Sequence, residues 1–292
     1  MKMSFWKKLG GGFSSLWALA VMFIVTAIVE LAFTFAFIGC LVYMLSHGDN
    51  TLETLFERFI ENIDMSSVEN IIESMQNLIY GLTFVADILT AIYLIVFYKR
   101  RCKYTAASLG TGTLSVRNVL LAIFAGMSAM LSVIFIFDIT GYEKINTLSF
   151  DNAPGAIMLA TALIAAPIAE ELIFRGFVFS KMRDKGISFV FTVIFTSVIF
   201  GMIHGNPVQI LYAGAFGLLL GLFRAKYDNL WLCMLMHCCA NFAGSFPIAA
   251  LGKAASHVIA YAAPVVLFIC LILIFTDKSN KIKDNAEPAL TY

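Results

Sequence analysis

Ala166-Pro-Ile-Ala-Glu170-Glu171-Leu-Ile-Phe-Arg175-Gly176 sets three charged side chains inside an apolar run from Gly155 to Phe179. A run of that length reaches the roughly 20 residues a helix needs to cross a bilayer. A charge at membrane depth costs roughly 2.5–3.5 kcal/mol on insertion scales. Groups that bear such a cost pair with one another, line a wet cavity or do chemistry. The rest of the chain is read by whether it can face those carboxylates.

The 292 residues are 60% hydrophobic and 13% charged, against about 25% charged in soluble domains. This composition describes a polytopic membrane protein and excludes an ordinary soluble enzyme. The first apolar run, Leu16 to Leu45, is too long for a signal-peptide core and reads as a first span. Of the six cysteines, five lie in apolar runs, and none has a Cys-x-x-Cys spacing. They read as small packing residues, with no disulfide framework.

Further spans are expected at Leu78–Tyr98, Val119–Phe137, Gly155–Phe179, Phe189–Ile203, Val208–Phe223, Leu230–Ala250 and His257–Phe275. The expected fold is all-α: a bundle of about eight transmembrane helices plus an amphipathic extracytoplasmic helix over residues 50–76. That insert carries Leu52, Leu55, Phe56, Phe59, Ile60 and Ile63 at helical steps, beside an acidic face of Glu53, Glu57, Glu61, Asp64, Glu69 and Glu73. It reads as an interfacial structural helix. The organisation divides into residues 1–152 with the first three spans, a core over 153–250, and 251–292 with the last span and a tail.

With both termini in the cytoplasm, the inside segments hold 16 of the 20 Lys and Arg, the outside segments hold 3, and Arg175 lies within its span. That bias follows the positive-inside rule and sets the expected orientation, in a plasma membrane. Gly217 and Gly221 form a Gly-x-x-x-Gly step, read as helix packing. No nucleotide-binding loop or base-stacking module is present, so nucleic acid is not indicated as a partner.

Glu171 and Arg175 lie four apart on one helix and can pair. Glu170 has no cation nearby in sequence, which suits a general base near neutral pH. His204 ends the fifth span, with Phe200 one turn earlier. His237 and Asn241, four apart, share one face of the seventh. Imidazole can donate, accept or ligate a metal, and an asparagine amide can donate to a developing oxyanion. His47 and His257, near span ends, read as structural. Counting helical rise from the inner span ends puts Glu170 roughly 16 Å deep, His237 roughly 12 Å and His204 roughly 24 Å, a mismatch that calls for a tilted or displaced fifth span.

Glu170-Glu171-Leu-Ile-Phe-Arg175, Phe200-Gly-Met-Ile-His204 and His237-Cys-Cys-Ala-Asn241 resemble, in order, the Glu-Glu-x-x-x-Arg, Phe-x-x-x-His and His-x-x-x-Asn motifs of the CAAX-protease and bacteriocin-processing (CPBP, Abi) family. That family of intramembrane endopeptidases includes the type II CAAX prenyl endopeptidases. The resemblance covers about Ala153 to Gly244. It implies a helix bundle with a water-filled chamber and hydrolysis of a peptide bond in a peptide or membrane-protein substrate. It implies Glu170 as activator of water, Glu171 and Arg175 as shapers of the site, and His204, His237 and Asn241 as ligands of a metal or of the oxyanion. A zinc ion held by Glu170, His204 and His237, or a metal-free glutamate-activated water, are both open. Two other readings compete: a non-catalytic membrane regulator that binds a partner membrane protein, and a proton-coupled transporter. The absence of a repeated half weighs against the transporter.

Overall fold

The computed structural model describes residues 4–13, 16–17, 20–29, 31–32, 68–101, 114–140, 155–245 and 251–278. Those residues are almost entirely helical, with no strand among them. The helices are α1 (Phe5–Phe13), α2 (Ala20–Val29), α3 (Val68–Arg101), α4 (Val116–Thr140), α5 (Ala156–Asp184), α6 (Phe189–Met202), α7 (Pro207–Tyr227), α8 (Leu230–Ser245) and α9 (Lys253–Thr276). Five of them, α3, α4, α5, α7 and α9, contain runs long and apolar enough to cross a membrane, while α2, α6 and α8 are shorter apolar helices. The chain is a polytopic helical bundle. Its outer faces carry exposed Ile92, Val96, Ile136, Val190, Ile194, Val265 and Phe268, where lipid rather than water is the fitting neighbour.

The expected division between an amphipathic insert and a second span does not hold at residue 77. α3 runs without a break from Val68 to Arg101, so the end of that insert is the first part of the span helix. The remainder of the insert and most of the first span lie outside the described residues. An apolar helix keeps its backbone bonded most simply by continuing, and nothing between Glu73 and Leu78 supplies a break.

α6 packs along α7, α8 and α9 both pack on α4, and α3 lies along α5. Small residues set the close approaches. A Cβ on Gly126 of α4 would overlap the backbone carbonyl of Met236 on α8, so that crossing is a backbone-to-backbone contact. Gly217 of α7 sits on the backbone of Ser197 of α6, and Gly221 makes room for the side chain of Val193. The α6–α7 joint turns at Gly205, whose φ of 72° favours glycine, and Asn206 caps α7 by accepting from the amides of Val208 and Gln209. Asn229 likewise accepts from the amides of Trp231 and Leu232 at the start of α8. These two caps fix where the helices bearing His204 and His237 begin and end.

α5 departs from a regular helix. It contains π-helical segments at Thr161–Ala165 and Leu172–Val178, on either side of the α-helical Ala166–Glu171. Pro167 gives a cause for the first: it has no N–H to offer the carbonyl of Leu163, so the hydrogen-bond register shifts. The glutamates are therefore presented from a short α-helical piece between two wide turns.

Candidate active site

Carbonyls of the two π segments take side-chain donors from neighbouring helices. Asn241 Nδ2 donates to Ala162 O at 2.7 Å, and Arg224 Nε donates to Arg175 O at 3.0 Å. The wide turns thus act as docking points that tie α8 and α7 to the glutamate helix. Arg224, which from sequence reads as a charge flanking the membrane, is instead 1% exposed and also pairs with Asp228.

Glu171 and Arg175 are both fully buried. Arg175 Nη1 donates to Glu171 Oε1 at 2.9 Å, and its Nη2 donates to the carbonyl of Gly217 on α7 at 3.0 Å. The guanidinium also lies 4.5 Å from the ring centroid of Phe200. Gly217 therefore does more than pack, because its carbonyl orients the arginine.

His237 stands between the two carboxylates. Its Nδ1 is 3.0 Å from Glu171 Oε1, and its Nε2 is 3.8 Å from Glu170 Oε2. A carboxylate oxygen accepts, so Nδ1 carries a proton and Nε2 faces Glu170. The Glu170 side chain is 21% exposed while that of His237 is 6% exposed. One glutamate is thus sequestered as the support of the histidine, and the other is open.

His204 is held at the same nitrogen. Its Nδ1 donates to the carbonyl of Phe200 at 2.8 Å and leaves Nε2 available. Phe200 joins the two imidazoles: its ring centroid is 5.0 Å from that of His204 and 5.7 Å from that of His237. α6 meets His237 through Phe200, one turn before His204. Phe216 of α7 closes on His237 at 5.5 Å.

Each histidine presents Nε2, which suits a zinc ligand. Yet among the described residues no group of three His, Cys, Asp or Glu side chains is arranged to hold an ion. Glu170, His204 and His237 do not form such a group.

Sequence reasoning passed over one acid. Asp87 of α3 is 6% exposed and lies within electrostatic range of Glu170. The signal was available: it is an acid within the apolar run 78–98, the criterion that singled out Glu170.

Residues 152–243 match the family model described as type II CAAX prenyl endopeptidase Rce1-like. The chain is also 30% identical over 109 residues to a Bacillus subtilis (strain 168) protein named "Putative membrane peptidase YdiL". That alignment covers 37% of this chain and 44% of the relative, so it spans less than half of that protein. No solved structure matches the chain.

Proposed function

We propose that this chain is an intramembrane endopeptidase of the CAAX-protease and bacteriocin-processing family in which Glu170 activates water, a reading supported by the match of residues 152–243 to the type II CAAX prenyl endopeptidase Rce1-like model. The observation that carries it is the division of labour at His237, with a buried Glu171–Arg175 pair on Nδ1 and a half-open Glu170 facing Nε2. A separation of 3.8 Å is too long for a direct hydrogen bond. It suits a water that gives one proton to Glu170 and the other to His237 Nε2. Such a water has both protons committed and a lone pair free to attack a peptide carbonyl.

In this reading Glu170 takes the proton as the carbon–oxygen bond forms. Asn241 commits one N–H to Ala162 O. Its second N–H is the donor for the developing oxyanion. Glu171 and Arg175 act through His237 and are positioning residues. His204 Nε2 accepts a hydrogen bond from the substrate backbone or from water, with no proton transferred. The test is hydrolysis of a farnesylated peptide ending in Cys-aliphatic-aliphatic-any residue by purified protein in detergent or nanodiscs. Failure of the wild-type protein to cut it, at any concentration that saturates binding, would remove the reading.

The ligand placement supports a water activated by glutamate alone. Dialysis against 1,10-phenanthroline is expected to leave the cleavage rate unchanged. Loss of activity that added zinc restores would instead assign the site to a metal and make Glu170, His204 and His237 its ligands.

The orientation proposed for this enzyme places both termini in the cytoplasm of the plasma membrane, supported by the 16-to-3 distribution of Lys and Arg. Reporter fusions after Lys278 should read cytoplasmic and fusions within residues 49–70 extracytoplasmic. A cytoplasmic signal from the second site would overturn it.

A further inference from the structure

α3 and α5 run parallel, and three ties fix their register. Asn77 Oδ1 lies at Gly155, Tyr80 O accepts from Thr161 Oγ1 at 3.1 Å, and Tyr93 and Phe177 both meet the ring of Trp17. Between the second and third ties Asp87 falls at the level of Glu170. The face α3 turns inward consists of Ala86, Asp87, Thr90, Ala91 and Leu94, all buried. The alanines let the two backbones approach, and the aspartate lies within electrostatic range of the open glutamate.

Asp87 is 6% exposed, yet its Oδ2 has no hydrogen-bond partner among the described residues, and neither has Thr90 Oγ1 one turn on. No cation lies beside it in sequence, and the cations of the site are engaged elsewhere: Arg175 on Glu171 and Gly217, Arg224 on Arg175 and Asp228. A buried polar group without a partner costs free energy. Such a group persists where a reacting molecule completes it.

The geometry points to Asp87 as a second catalytic carboxyl, the proton donor to the leaving amine of the scissile peptide bond. The assignment rests on the endopeptidase reading above. Two carboxyls that share one apolar site hold a proton between them. Glu170, as the carboxylate, takes a proton from water while oxygen bonds to the carbonyl carbon. The tetrahedral intermediate collapses, the carbon–nitrogen bond breaks, and the nitrogen takes the Asp87 proton and leaves as the amine. The proton on Glu170 then passes to Asp87. One water is consumed, and both carboxyls return to their starting state.

A matched pair of probes tests this: the farnesylated peptide, and its depsipeptide twin in which the scissile amide is an ester. An amide nitrogen must be protonated to leave, whereas an alkoxide leaves with far less help. Asp87→Asn is expected to slow amide cleavage about 10²–10⁴-fold, the usual worth of a general acid, while ester cleavage stays within about tenfold of wild type. Glu170→Gln should lose both. Asp87→Ala must show the same split, which keeps the test usable if the Asn variant does not accumulate as folded protein. Equal loss on both probes would make Asp87 a structural support of Glu170, and amide cleavage at the wild-type rate would give it no role. Either outcome overturns this assignment and leaves the endopeptidase reading standing. A wild-type protein that cuts neither probe overturns both.

Discussion

Glu170→Gln is expected to fold and to cleave the farnesylated peptide about 10²–10⁴-fold more slowly than wild type, or not measurably, since here the base also creates the nucleophile. Gln keeps the size of the side chain and one acceptor oxygen, so a water can still bind next to His237. It cannot take a proton from that water. His237, held by Glu171 through Nδ1, still turns Nε2 toward that water, so any residual turnover of the variant measures what the imidazole does as a base without Glu170. Stability should change little: among the described residues Glu170 makes no close ion pair, its nearest basic atom being His237 Nε2 at 3.8 Å, and exchanging an acid in an apolar setting for a neutral amide relieves desolvation. The variant is to be compared with wild type by single-turnover hydrolysis and by thermal unfolding in the same detergent. Wild-type turnover in Glu170→Gln would end the hydrolase reading and favour a non-catalytic membrane regulator, in which binding a partner carries the function.

The helical, membrane-embedded character of the chain was legible because apolar length and the cost of charge in lipid act locally. Glu170, His204, His237 and Asn241 stand out in the sequence by type and spacing for the same reason, as candidates. What was not legible depended on how helices lie against each other. His237 meeting Glu171 and Arg175 meeting the carbonyl of Gly217 are facts of register between α5, α7 and α8 that no single helix encodes. The π segments escaped because a shift in hydrogen-bond register leaves the apolar pattern of α5 almost unchanged, with Pro167 its one visible sign. Arg224 reads from sequence as a span-flanking cation, since its partner, the carbonyl of Arg175 within the second π segment, lies on another helix. Asp87 is visible in the sequence as an acid in an apolar run, but it belongs to no motif, and its nearness to Glu170 depends on how α3 lies beside α5.

Arg175→Met is expected to destabilise the folded protein strongly, and a second substitution, Glu171→Gln, is expected to recover part of the loss. Both side chains are fully buried, and the guanidinium is held by Glu171, by the carbonyl of Gly217 and by the faces of Phe200 and Phe174. Met roughly fills the volume but leaves Glu171 as a buried carboxylate with His237 alone. Removing one member of a buried pair costs about 3–5 kcal/mol, most of it the desolvation of the charge left behind. Neutralising that charge removes the penalty, so the double variant should unfold at a higher temperature than Arg175→Met. The double-mutant cycle then isolates the coupling between the two residues. Activity separates from stability in the same series. Glu171→Gln retains an oxygen that can accept from His237 Nδ1, so it should keep more turnover than Glu171→Leu, which frees the ring to rotate. Additive destabilisation by the two substitutions would show that the pair is not a unit. Equal turnover in Glu171→Gln and Glu171→Leu would show that Glu171 does not position His237.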